Sequence, residues 1–226
     1  MNIQKRLDQI YRKPDLTIQY DRPIVFFSDL HMGDGGPADD FAKNSDLFQK
    51  TLNHYVENNF LVVLVGDILE LWQFNRKEID RAYPWIYSSF NLEGIQLIGN
   101  HDRELGHPES LLITGEDNVL VIHGHQGDWI NDSWWKLGRF FTRWVWKPLE
   151  YLGINDPTSA SKSLKRHDLV RRGLSDWANT RGIFLVTGHI HRQEREGSYL
   201  NIGSGISSGK IECIEYDGIF EEKVWT

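Results

Sequence analysis

An α/β fold, with short buried strands in a sheet and helices outside it, is predicted from three observations. Apolar runs rich in β-branched and aromatic residues recur at 24–27, 61–65, 95–98, 119–122 and 183–186. A stretch with helical spacing lies between the first two. Near the C-terminus, Asp217-Gly218 separates two further strand-like runs. Each run is rich in β-branched or aromatic residues and too short for a helix, so each reads as a strand covered on both faces. The stretch 45–59 places Phe48, Leu52, Tyr55 and Val56 at helical spacing, with Ser45 or Asp46 as its N-cap. Such a strand–helix–strand unit favours helices packed on the faces of a sheet. At the other end, 210–216 and 219–225 flank the Asp-Gly pair that a two-residue hairpin turn favours. No repeat or linker divides the chain, so 1–226 reads as a single domain.

Composition excludes several classes. The 226 residues are 40% hydrophobic and 25% charged, an ordinary globular balance with chain enough to bury a core. Cys213 is the single cysteine, which rules out an intrachain disulfide. Residues 1–21 lack the apolar core of a signal peptide, and the two observations together predict a cytoplasmic protein. The longest apolar run, 60–65, falls far short of the roughly 20 residues that span a bilayer. A net charge of −7 argues against a general nucleic-acid binder. That charge is unevenly spread. Residues 129–182 hold ten Lys/Arg against five Asp/Glu, a local +5 that leaves −12 for the remainder, and six of the nine Trp. This segment reads as a helical insertion between two strands.

The polar residues that follow the strands are unusual. In chain order the five runs end in Ser28-Asp29-Leu30-His31, Gly66-Asp67, Gly99-Asn100-His101-Asp102, His123-Gly124-His125 and Gly188-His189-Ile190-His191. Open α/β sheets gather ligand sites at these C-terminal strand ends. Alternate residues of an extended segment point the same way, so Asp29/His31 and His189/His191 can each reach one ion. Asp, His and Asn without a thiolate suit Mn²⁺, Fe or Zn²⁺ better than a structural cysteine cage does. Asp29, His31, Asp67, Asn100, His123, His189 and His191 are too many for one ion and enough for two if a carboxylate bridges. Read singly, each is a capping Asp or a satisfied histidine; five in order are a site.

The ordered signature resembles that of the calcineurin-like metallophosphoesterase superfamily, and the likeness runs from Asp29 to His191. It implies a four-layer β-sandwich of two mixed sheets flanked by helices. It also implies that Asp29, His31, Asp67 and His191 hold one divalent metal and Asp67, Asn100, His123 and His189 the other, with manganese first and iron or zinc as alternatives. Two such ions clamp phosphate oxygens and acidify a bridging water, giving the hydroxide that attacks phosphorus. His101 would lie over the substrate phosphate and stabilise its charge or protonate the leaving oxygen. Glu70 stands where many relatives carry an Asp that orients this histidine. Asp102 orients a ligand or holds its own loop, His125 matches no ligand position, and His54 and His167 read as surface residues.

The string Gly66-Asp67-Ile68-Leu69-Glu70-Leu71-Trp72 and the insertion after His123 look like the branch containing UDP-2,3-diacylglucosamine pyrophosphatases. Those enzymes cleave a lipid-linked diphosphate beneath a helical lid; many of them carry Arg where this chain has His101. Within the insertion, a helix from Ser133 to Pro148 would line up Lys136, Arg139, Arg143 and Lys147 in a stripe of roughly 80°. Trp134, Phe140, Phe141 and Trp144 fall on the remaining face. Arg139, Arg143 and Trp144 are therefore the candidate substrate-binding residues, and 133–147 a candidate for peripheral membrane contact. The alternatives are a helix packed on the domain with a solvated basic edge, and a phosphoesterase for soluble nucleotides or other small phosphoesters. A non-catalytic scaffold is a further alternative, against which the retained ligand residues speak.

Overall fold

The computed structural model describes residues 3–86, 94–127 and 164–226. Within them four helices, α1 (Ile3–Arg12), α2 (Ser45–Glu57), α3 (Arg76–Ala82) and α4 (Leu164–Arg181), cover two mixed sheets. The strands are β1 (Leu16–Gln19), β2 (Ile24–Phe27), β3 (Leu61–Val65), β4 (Ile95–Leu97), β5 (Ser110–Thr114), β6 (Val119–Ile122), β7 (Phe184–Thr187), β8 (Glu194–Glu196), β9 (Tyr199–Asn201), β10 (Ile211–Tyr216) and β11 (Phe220–Trp225). One sheet runs β1-β5-β6-β7-β9-β8 and the other β11-β10-β2-β3-β4. Each contains parallel and antiparallel pairs.

Side-chain parity builds the layers. Phe26, Val63 and Leu97 of one sheet meet Leu111, Val121 and Val186 of the other in a dry inter-sheet core. The residues between them, Val25, Phe27, Val62 and Leu64, point the opposite way, onto Phe48, Leu52 and Tyr55 of α2. On the far side, Leu120, Ile122 and Leu185 pack against Leu7 of α1 and Leu174 and Trp177 of α4. The order is thus helix, sheet, sheet, helix, and the strands at 24–27, 61–65 and 119–122 are apolar throughout because both their faces are covered. Trp177, one of the six Trp of segment 129–182, is fully buried; its indole N–H donates to Asp8 at 2.9 Å, tying α4 to α1. The 129–182 segment thus ends in a core helix, and the stretch that would form a lid, with Arg139, Arg143 and Trp144, lies outside the described residues.

Two expected details differ. The N-cap of α2 is Asn44, not Ser45 or Asp46, and it makes no side-chain cap bond. Its amide is committed elsewhere: Nδ2 donates to the carbonyls of Gly205 and Ser207, and Oδ1 accepts from the Gly209 N–H at 2.7 Å. The C-terminal hairpin pairs Tyr216 with Phe220, leaving three residues in the turn where two were expected. Parity explains this. Tyr216 and Phe220 stack with centroids 4.5 Å apart inside the inter-sheet core, and a shift of one residue would turn Phe220 out of it.

Candidate metal centre

Strands β2, β3, β6 and β7 deliver their polar ends to one place, and the backbone there is bent into an unfavourable shape. Asp29, His31, Asp67, His189 and His191 all have φ between 48° and 74°, and Asn59 is the one other non-glycine residue with positive φ among the described residues. Left-handed backbone costs an L-residue roughly 1–2 kcal/mol. Strain of this kind collects at functional sites, where the surroundings over-determine it. Here the Asp29 N–H donates to Gly66 O at 3.2 Å, the His31 N–H to Asp67 O at 3.0 Å, and the Gly188 N–H to His123 O at 2.9 Å. Close approach requires glycine at two points: a Cβ on Gly99 would overlap the Asp67 carboxylate, and one on Gly188 would overlap Ser28 Oγ and Asp29 Oδ2.

The side chains form two groups, which a third set of His31, Asp67 and His101 overlaps. In the first, Asp29 Oδ1 stands 3.1 Å from His191 Nε2 and 3.7 Å from His31 Nε2, and the two imidazole Nε2 atoms are 3.2 Å apart. In the second, Asp67, His123 and His189 converge, with Asp67 Oδ2 at 3.2 Å from His123 Nε2. That same Asp67 oxygen is 3.9 Å from His31 Nε2, so one carboxylate stands between the groups. Each carboxylate is divided in its duties. Asp29 Oδ2 accepts from Ser28 Oγ at 2.6 Å and from the His189 N–H, and Asp67 Oδ1 accepts from the His101 N–H, while the opposite oxygens face the imidazoles. The tautomers follow from the same accounting. His123 donates Nδ1–H to Val65 O at 2.8 Å and His31 directs Nδ1 at Glu70, which leaves lone pairs on both Nε2 atoms.

This donor set fits divalent cations. Asp29 Oδ1, Asn100 Oδ1 and His123 Nε2 are buried with no hydrogen-bond partner. Three buried electron-pair donors left unsatisfied would be costly in a fold without something to share them. The proton equilibria carry the same sign. Burial would raise Asp29, yet His191 and His123 beside it hold its carboxyl far below the usual range. Asp67 is likewise held well below by His123 and His101 against its burial. Burial would lower His123, but Asp67 and Asp29 push it up to about 9. The centre thus attracts positive charge.

Glu70 serves two histidines at once. Its carboxylate lies 2.8 Å from His31 Nδ1 and 2.7 Å from His101 Nδ1, and these partners hold its acid at about 2 despite burial. Asp102 holds the loop: it accepts from the Gly99 N–H at 2.6 Å and the Ile68 N–H at 2.8 Å. Burial and the nearby Asp67 charge nevertheless raise it to about 6. His125 is buried and accepts from Arg103 Nη2 at 3.1 Å, and burial with His123 and Arg103 nearby holds it well below the usual imidazole value, so it is neutral. His54 is exposed, as expected of a surface residue. The sequence reading missed Trp72, whose ring stacks on His101, and Arg103, the partner of His125; both follow directly on site motifs, Glu70-Leu71-Trp72 and His101-Asp102-Arg103.

No family model and no curated protein matches the sequence. Solved structures similar to it include the cold-active protein-tyrosine phosphatase of a psychrophilic Shewanella sp., at 17% identity and a TM-score of 0.44, covering 92% of this chain and 82% of that one. A hypothetical protein from Thermus thermophilus is 12% identical with a TM-score of 0.44, covering 90% of this chain and 99% of that one.

Proposed function

We propose that this protein is a metal-dependent hydrolase of phosphodiester or diphosphate bonds that works with two divalent ions, manganese before iron or zinc. The observation that carries the reading is the Asp67 carboxylate standing between two His/Asp groups, one oxygen held by the protein and the other facing imidazole lone pairs. Asp29, His31, Asp67 and His191 would hold one ion, and Asp67, Asn100, His123 and His189 the other. Bound there, the ions supply Lewis acidity toward phosphoryl oxygens and acidify water. The chain supplies the rest. Glu70 fixes the tautomers of His31 and His101 together, so the ligand and the acid share one orienting group. With Nδ1 committed to Glu70, His101 has Nε2 for the substrate, where it donates to a phosphoryl oxygen or protonates the departing one.

For the substrate we propose an amphiphilic diphosphate such as a UDP-linked acylated sugar, selected by the 129–163 part of the insertion and reached at a membrane surface through 133–147. Its support is the net +2 charge and the five Trp of 129–163, together with its place after His123. No helix of the described residues is long and apolar enough to cross a membrane. The first experiment is hydrolysis of a chromogenic phosphodiester by metal-loaded protein and by His101→Ala. Full metal content with turnover lowered by about 10²–10⁴-fold is expected of lost acid–base help; loss of metal would make His101 a ligand. The second is replacement of Trp144 and Phe140 by Ser, with selective loss on the lipid-linked substrate expected and equal loss on both substrates counting against the lid.

A further inference from the structure

Trp72 lies in the turn after β3 between two core residues, and it does not join them. Leu71 and Phe74 are buried under α2 and α3, while Trp72 stays partly exposed. Its indole lies flat against the His101 imidazole, with ring centroids 4.0 Å apart and planes inclined by 16°. The indole is itself pinned: Nε1–H donates to the Asn100 carbonyl at 2.9 Å, and its backbone N–H donates to Glu70 Oε1 at 3.2 Å. One residue thus contacts a candidate metal ligand, the orienting carboxylate and the candidate acid.

We propose that Trp72 is the positioning residue of His101, its ring clamping the imidazole face while Glu70 holds the edge. The inference rests on the reading of His101 given above. A ring held by one hydrogen bond can pivot about it; a ring held by an edge and a face cannot. The distinction matters here because His101 lies in a group with His31 and Asp67 that could itself hold a cation. The orientation of its ring therefore decides between ligand and acid. Clamped between Glu70 and Trp72, it keeps Nε2 for the substrate oxygen. Positioning of this kind is worth much in rate, since a shift of about 1 Å can cost 10²-fold.

Two variants and one background test it. Trp72→Ala removes the stacked face; Trp72→Phe keeps an aromatic face and loses the N–H. Metal-loaded proteins are compared on a nitrophenyl phosphodiester, which needs little help in departure, and on an alkyl phosphodiester, which needs a proton. Trp72→Ala should lower kcat on the alkyl substrate by about 10–100-fold, with a smaller loss on the nitrophenyl one, unchanged KM and full metal content. Trp72→Phe should recover most of the loss. In the His101→Ala background, Trp72→Ala should add nothing, because the two act as a unit.

A second readout needs no metal and no turnover. In the NMR spectrum of metal-free protein, the His101 ring protons should be shielded by the stacked indole in the parent and in Trp72→Phe, and deshielded in Trp72→Ala. A raised KM at constant kcat would show that Trp72 binds substrate directly, and would overturn the proposal. So would a full additional loss in the His101→Ala background, or His101 signals that ignore the substitution. If His101→Ala itself leaves kcat unchanged, the reading of His101 fails and the positioning role with it. If only Trp72→Ala is without effect, the positioning role alone fails.

Discussion

The two halves of the candidate metal centre differ in their access to water. In the half built on Asp29, the imidazoles of His31 and His191 keep 11% and 19% of their surface exposed. In the other half the His123 side chain has no exposed surface, Asp67 has 2%, and Asn100 and His189 are buried. One half is an open rim and the other a sealed floor, and Asp67 is the wall between them. The difference is topological. His31 and His191 lie two residues beyond Asp29 and His189, out at the mouth, whereas His123 follows β6 immediately. A sealed half would exchange an ion slowly and fix its geometry; an open half would leave room for a substrate oxygen.

The largest expected effect removes the comparison altogether. Asp67→Ala should lose both ions and with them an acceleration on the order of 10⁶-fold or more, the lower range for enzymes, as read by metal analysis and turnover. The next effect separates the halves. His191→Ala should lose the rim ion and keep the floor ion, and His123→Ala should do the reverse; a chelator should strip the parent in two phases, rim first. Simultaneous loss in all these cases would show that the halves do not bind independently.

A smaller effect follows from protons. In metal-free protein His123 is raised to about 9 from an ordinary 6.5. A raised imidazole contributes stability that is fully present below the unfolded value and lost as pH rises through the folded one. The Tm of metal-free protein should therefore fall between pH 6.5 and about 9. Metal binding in that window should release a proton, since the ion takes a neutral imidazole; calorimetry in buffers of different ionisation enthalpy reads the number released. The smallest effect is in the backbone. At His191, with φ of 53°, substitution by Gly should leave metal-free protein more stable than substitution by Ala, by about 1 kcal/mol in denaturant midpoint analysis.

The runs at 24–27, 61–65 and 119–122 were legible as strands because strands covered on both faces need no alternation and no partner to be recognised; the run at 95–98, expected to be covered on both faces, forms an edge strand in which Ile95 and Gln96 are only partly buried. β1, β5, β8 and β9 were not legible. β1 is half-buried, β8 and β9 are three residues each, and their pairing comes from tertiary neighbours such as Leu111 opposite Leu16. The N-cap of α2 was misplaced because Asn44 was already committed to the 205–210 loop, a contact 161 residues away in the chain. The candidate ligands were legible for another reason: Asp, Asn or His recurs after each of the five apolar runs. The roles around them were less so. That Glu70 serves His31 as well as His101, that His125 takes Arg103, and that Trp72 covers His101 are relations between side chains from different loops, and no spacing along the chain encodes them.

The measurement that bears most directly on the centre is anomalous scattering from crystals of manganese-loaded protein. Two peaks about 3.5–4 Å apart, the separation usual for ions acting on one phosphate, are expected, with Asp67 reaching both, Asp29, His31 and His191 around one, and Asn100, His123 and His189 around the other. An empty cluster in metal-replete protein, or a single ion bound without Asp67, would contradict the two-metal reading.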